Sequence, residues 1–111
     1  MEFPRYMEKG SHGAAANVLL GFLSSWAAVQ TGLVWGHGIT CDGLYGAAGA
    51  SLMMDIQRAH GLEPDGGCGP ATRQMLNDEY GFDLETEARA AGGTTYFFQP
   101  DGPPVIWSVG V

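Results

Sequence analysis

The chain has 111 residues, of which 45% are hydrophobic and only 15% charged, with a formal net charge of −7. That length allows a single domain with one modest core. Five basic residues (Arg5, Lys9, Arg58, Arg73 and Arg89) are scattered among twelve acidic ones, so the sequence offers no positive patch, and neither nucleic acid nor a membrane is expected as a partner.

Residues 1–10 read as an irregular arm leading into Ser11-His12-Gly13. No secretory leader is expected, because residues 1–13 hold no apolar stretch and carry Glu2, Pro4 and Glu8. Ser11 is placed to cap the helix that follows. Ala16, Leu19, Leu20, Leu23, Trp26 and Ala27 recur at helical spacing, with Gly21 inviting close packing and Gln30-Thr31-Gly32 ending the helix. The run from Ala14 to Ala28 is too short for a membrane span and contains Asn17, Ser24 and Ser25. A loop from Gly32 to Gly38 carries Trp35 and His37.

A second helix is predicted over Ala47–Ala59, with Ala48, Leu52, Ile56 and Ala59 facing inward and Gly61 as a left-handed stop. Pro70 suits the first position of a third helix, which carries Ala71, Met75 and Leu76 and stops near Gly81. Asp83 is placed to cap a short helix through Ala90, and Gly92-Gly93 breaks it. Residues 94–99 and 104–109 then read as two strands around a Pro100-Asp101-Gly102-Pro103 turn. Tyr96 and Phe98 alternate, as do Val105, Trp107 and Val109, so one apolar face is expected on the hairpin.

One pattern occurs twice. Gly38-Ile39-Thr40-Cys41-Asp42-Gly43-Leu44-Tyr45-Gly46 and Gly61-Leu62-Glu63-Pro64-Asp65-Gly66-Gly67-Cys68-Gly69 each run glycine, apolar, two free positions, Asp-Gly, two free positions, glycine, helix start. The repeat predicts two equivalent turns related by a pseudo-twofold. Asp42 and Asp65 are expected to accept hydrogen bonds from backbone donors of their own turns. Gly43, Gly46, Gly66 and Gly69 are expected to supply turn dihedrals and close approach. Pro70 and Thr72 complete the motif, with Thr72 as a local capping or packing residue. Cys41 and Cys68 sit one in each copy, and without a secretory leader two free thiols are expected over a disulfide.

These residues resemble the peptidoglycan-binding domain family, the small three-helix module attached to many cell-wall hydrolases. The resemblance covers residues 8–80. It rests on Lys9-Gly10-Ser11-His12-Gly13, on Asp42-Gly43-Leu44-Tyr45-Gly46, on Ile56-Gln57 near the end of the second helix, and on Gln57 through Thr72, which follows the family's Gly-Leu, Asp-Gly and Gly-Pro-x-Thr signature. Leu20 departs from the glutamine common in the family, Gly49 stands where Thr72 stands in the second copy, and the loop before Asp42 is long. The implied fold is a mainly α, three-helix domain over residues 1–82, with residues 83–111 as a short helix and β-hairpin tail.

Sugars are commonly bound by aromatic faces with polar neighbours, so Trp35, His37, Tyr45, Gln57 and Arg73 are the candidate ligand contacts, against packing roles for Trp35 and Tyr45. No metal or other cofactor is expected: His12, His37, His60, Cys41 and Cys68 form no pair at ligand spacing. No nucleophile or carboxylate pair is singled out, so an enzyme is not expected.

Two function classes compete. One is a small structural protein of an assembly, as a decoration or minor capsid protein of a bacteriophage virion made in the host cytoplasm. The other is a soluble wall-binding module that targets a separate peptidoglycan hydrolase. The assembly reading expects chain ends held in order, no attached catalytic domain, and a tail whose Tyr96, Phe98, Val105, Trp107 and Val109 dock on other protein chains, with self-docking as the alternative.

Overall fold

The computed structural model describes residues 2–31 and 41–109. Trp35, His37 and both chain ends (1 and 110–111) lie outside the described residues. The described residues form the three expected helices, the expected short fourth helix and the hairpin, which a further short strand extends to a three-stranded antiparallel sheet; about half of the described residues are helical. The elements run β1 (His12–Gly13), α1 (Ala14–Thr31), α2 (Ala47–Ala59), α3 (Pro70–Tyr80), α4 (Leu84–Ala91), β2 (Thr94–Phe97) and β3 (Val105–Ser108). No helix among the described residues is long and apolar enough to cross a membrane.

Helix α1 is the centre of the core. Ala15, Ala16, Leu19, Leu20, Leu23 and Ala27 form its buried stripe, as the 3.6-residue period requires. Trp26 is only half-buried and donates its indole N–H to the Tyr80 hydroxyl at 3.0 Å. Gly21 does not serve close packing: a Cβ there would meet nothing within 4 Å. Helix α2 buries Ile56 and half-buries Leu52 as predicted, but the rest of its inner face is shifted from the predicted one. Gly49, Ala50, Met53, Ile56 and Gln57 are buried while Ala48 and Ala59 are exposed, because Tyr45 and Leu20 press against the Gly49 side of the helix. Gly61, at φ +71°, and Gly81, at φ +65°, end α2 and α3 in the left-handed region as their type allows.

Ser11 is not the cap of α1. Its buried hydroxyl donates to the Glu8 carbonyl at 2.7 Å and accepts the Phe98 N–H at 2.8 Å. The orphan N–H of Ala15 goes instead to Thr95 Oγ1, at 2.8 Å, from a strand eighty residues away. Asp83 does stand before α4, but its carboxylate accepts the Thr86 hydroxyl and caps no backbone N–H.

The sheet order is β1-β2-β3, with His12 opposite Tyr96 and Gly13 opposite Thr95, then Thr95 opposite Trp107 and Tyr96 opposite Ile106. This register separates residues that were expected to share a face. Thr95, Phe97, Val105 and Trp107 belong to the inner face, and Tyr96 and Ile106 to the outer one. Gly13, at φ +130°, lets β1 lie against β2, since a Cβ there would sit 2.3 Å from the Thr94 carbonyl oxygen.

There is no break in the core at residue 82. Trp107 and Phe97 are fully buried in one cluster with α1, α4 and the N-terminal arm. Phe3, expected in an irregular arm, packs edge-on against Phe97 at 5.2 Å and Trp107 at 4.9 Å. The inner face of the hairpin therefore docks on its own chain.

Candidate functional site

From the Asp-Gly step onward, the two copies of the repeat adopt matching backbone geometry. Gly43 and Gly66 occupy the same place in the repeat and both take positive φ, +87° and +79°. Asp42 Oδ1 accepts the Leu44 N–H at 3.1 Å, and Asp65 Oδ1 accepts the Gly67 N–H at 3.0 Å; each aspartate thus bonds its own turn two residues on. Tyr45 and Cys68 each exchange backbone hydrogen bonds with the N-terminal arm: Tyr45 with Ser11 and Gly10, Cys68 with Met7 in both directions. Gly46 and Gly69 differ from expectation. Both are extended at φ −101°, a backbone open to any residue, and only Gly69 is crowded, by the Tyr6 ring.

Gln57 binds the second turn to the helices. It is 1% exposed. Its Nε2 reaches Asp65 Oδ1 at 3.1 Å, the Gly67 carbonyl at 2.9 Å and Thr72 Oγ1 at 3.0 Å, and its Oε1 accepts the Gly66 N–H at 3.0 Å. Tyr45, 0% exposed, joins the first turn to the second by donating its hydroxyl to the Gly66 carbonyl. Burial first, and then the nearby Cys68, Glu8 and Asp65, push its phenol up, so the ring stays neutral. Tyr45 and Gln57 are thus corrected from ligand contacts to packing groups, and Thr72 acts between helices. Gly49 replaces the Thr72 equivalent because the Tyr45 ring and Leu20 fill its side-chain space.

Cys41 is exposed and Cys68 buried, and both are free. Burial holds the Cys68 thiol up at about 12, so it is protonated and chemically quiet. Glu8 lies over Gly67, close enough that a Cβ there would fall 2.5 Å from its Oε2. Its carboxyl is raised by burial and then by the Asp65 charge. No group of three or more metal-ligating side chains occurs among the described residues.

Among the described residues, two surfaces bear on the expected ligand and docking residues. One is a depression of about 300 Å³ lined by Arg5, Pro70, Arg73, Gln74, Asn77 and Asp83. Arg73 is the one candidate ligand residue that the structure places on such a surface. The other is the outer face of the sheet. Tyr96, Phe98 and Ile106 are exposed there with Leu44 beside them, and Ile106 reaches 54% exposure; Val105 is exposed too, but at the rim of the inner face. His12 stacks on Tyr96 at 4.9 Å between ring centres and meets Phe98 edge-on.

Of the expected docking residues, Tyr96, Phe98 and Val105 are exposed. Trp107 is corrected: at 0% exposure it belongs to the core, because its strand parity sends it inward opposite Thr95. Val109 is half-buried against that core. Sequence reasoning missed Ile106, Leu44, His12 and Arg5. The opposite parity of Ile106 to Trp107 was the available signal for the first; Leu44, His12 and Arg5 depend on a chain path that no local pattern encodes.

No family model, no curated protein and no solved structure matches this chain.

Proposed function

We infer that the protein is a non-catalytic module, built on a peptidoglycan-binding-like turn repeat, that serves as a structural component of a larger assembly. The setting we propose is a bacteriophage virion, with a decoration or minor capsid role. The observation that carries this reading is the outer face of the sheet. Strands β2 and β3 contain no charged residue on a chain of net charge −7, and the side chains they expose on that face are Thr94, Tyr96 and Ile106, with Phe98 just beyond β2. Strand β3 is also an edge. The Val109 N–H bonds the Gly93 carbonyl on the β2 side. By antiparallel alternation, Ile106 and Ser108 then direct their backbone groups outward, where an added strand can pair.

The inner face being filled by the chain's own core, docking rests on this outer face alone. Ile106→Lys and Tyr96→Ser leave the buried side chains untouched. Both variants are expected to fold with an unchanged thermal midpoint and to be lost from particles purified from cells that make the protein. Incorporation of either at the wild-type level ends the docking reading.

The wall-binding alternative is supported by the matching geometry of the two Asp-Gly turns. It is tested by sedimentation with insoluble peptidoglycan. With Tyr45 and Gln57 enclosed, Arg73 is its remaining described contact, so Arg73→Gln is expected to weaken the pull-down. No pull-down at about 50 μM protein, where a weak binder still registers, leaves the structural reading alone.

A further inference from the structure

Two of the five basic residues, Arg5 and Arg73, line the same depression although 68 positions separate them in the chain. Arg73 is held there by packing, with its guanidinium 4.8 Å from the Phe3 ring centre. The protein satisfies that guanidinium poorly. Its Nε is buried with no hydrogen-bond partner. Its terminal nitrogens stand 3.5 Å from the Pro4 carbonyl and 3.8 Å from a Glu85 oxygen, at or beyond the outer limit of a useful hydrogen bond. Glu85 is turned to Arg89 instead, at 2.9 Å. The other carboxylate on the rim, Asp83, accepts the Thr86 hydroxyl from its own helix. A positioned guanidinium therefore keeps donors to spare on a chain that is otherwise acidic.

Arg5 also belongs to a second groove, of about 380 Å³, where it adjoins Phe3, Pro4, Tyr6, Pro100 and Val105, with the carboxylates Glu2 and Asp101 also in its lining. The two hollows meet at Arg5, one cationic and the other largely apolar. Guanidinium forks match planar oxyanions in bidentate geometry. A phosphate dianion would suffer twice the repulsion of a carboxylate from Asp83, Glu2 and Asp101 and from the net negative charge of the chain. We propose that this junction is a binding site for a carboxylate carried next to a small apolar group: Arg5 and Arg73 take the carboxylate and the groove beside Pro4 and Pro100 takes the apolar neighbour. The site is on a different surface from the sheet face, so its failure and that of the docking reading are separate results.

The test is an NMR amide titration of the full chain with N-acetylalanine, its uncharged amide, and inorganic phosphate. N-acetylalanine is expected to give saturable shifts, in the millimolar range, centred on residues 4–6 and 73–77 and reduced by 0.5 M salt. Phosphate is expected to bind more weakly and the neutral amide not at all. Arg5→Gln and Arg73→Gln should each weaken N-acetylalanine by roughly tenfold, and Arg73→Lys, which keeps the charge and loses the fork, by less. Arg5 is exposed, so Arg5→Gln decides the matter if Arg73→Gln does not fold. Shifts that fail to saturate, equal shifts with the neutral amide, phosphate binding as tight as the carboxylate, or an unaffected Arg5→Gln protein would each overturn the proposal.

Discussion

Gln57 does at residue scale what the repeat needs. A buried amide must find partners for both its oxygen and its nitrogen, and here the oxygen fixes the Gly66 N–H while the nitrogen gathers Asp65, Gly67 and Thr72. Gln57→Leu keeps the volume and strands those groups. It is expected to lower stability by about 2–4 kcal/mol, read as a lower denaturant midpoint at unchanged slope. Glu8 carries the opposite sign. Its folded-state pKa is raised above the usual value, so the folded protein holds that proton to higher pH than the unfolded chain does. Stability therefore falls as pH rises from about 4.5 through the raised value, and the penalty stays constant above it. Glu8→Gln is expected to stabilise at pH 7, on the order of 0.5 kcal/mol for a solvent-screened group, with no gain below about pH 4. Thermal melts across that range check the sign.

At the scale of elements, the stops and starts were the legible part. Pro70, Gly61 and Gly81 mark helix ends through backbone constraints that act within a turn, and the structure agrees with each. What was not legible depends on distant partners. The third strand is two residues long, His12–Gly13, and exists only because β2 lies beside it. The cap of α1 comes from Thr95, and Ser11 is diverted to Glu8 and Phe98. The inner face of α2 was read rightly at Ile56 and in part at Leu52 but not at Ala48 and Ala59, because Tyr45, outside the helix, decides which side is covered. Reading residues 83–111 as a detachable tail failed for the same reason, since Phe97 and Trp107 complete a core that Phe3 and α1 leave open. Deleting residues 92–111 is expected to unfold the protein, with loss of the cooperative thermal transition by circular dichroism. A truncated chain that melts cooperatively near the intact midpoint would show that the helices stand alone.

Across the whole molecule, the candidate surfaces were the least legible. Arg5 and Arg73 read as scattered charges until the N-terminal arm is laid across α3, and Ile106 reads like Trp107 until the register assigns them to opposite faces. The Asp-Gly turns were legible because their chemistry is local: each aspartate bonds a backbone N–H two residues on. The hydrogen bond from Ala15 to Thr95 has a consequence in time as well as in space. The opening turn of α1 is made early on the ribosome, yet the Ala15 N–H within it waits for a strand synthesised eighty residues later. Burial of Phe3 likewise waits for Phe97 and Trp107. The nascent N-terminal segment then leaves the exit tunnel with nothing to close it, and native packing arrives late and all together. During that interval the apolar stripe of α1 is uncovered, so a cell that makes this protein quickly is expected to need chaperone capacity in proportion to its rate of synthesis.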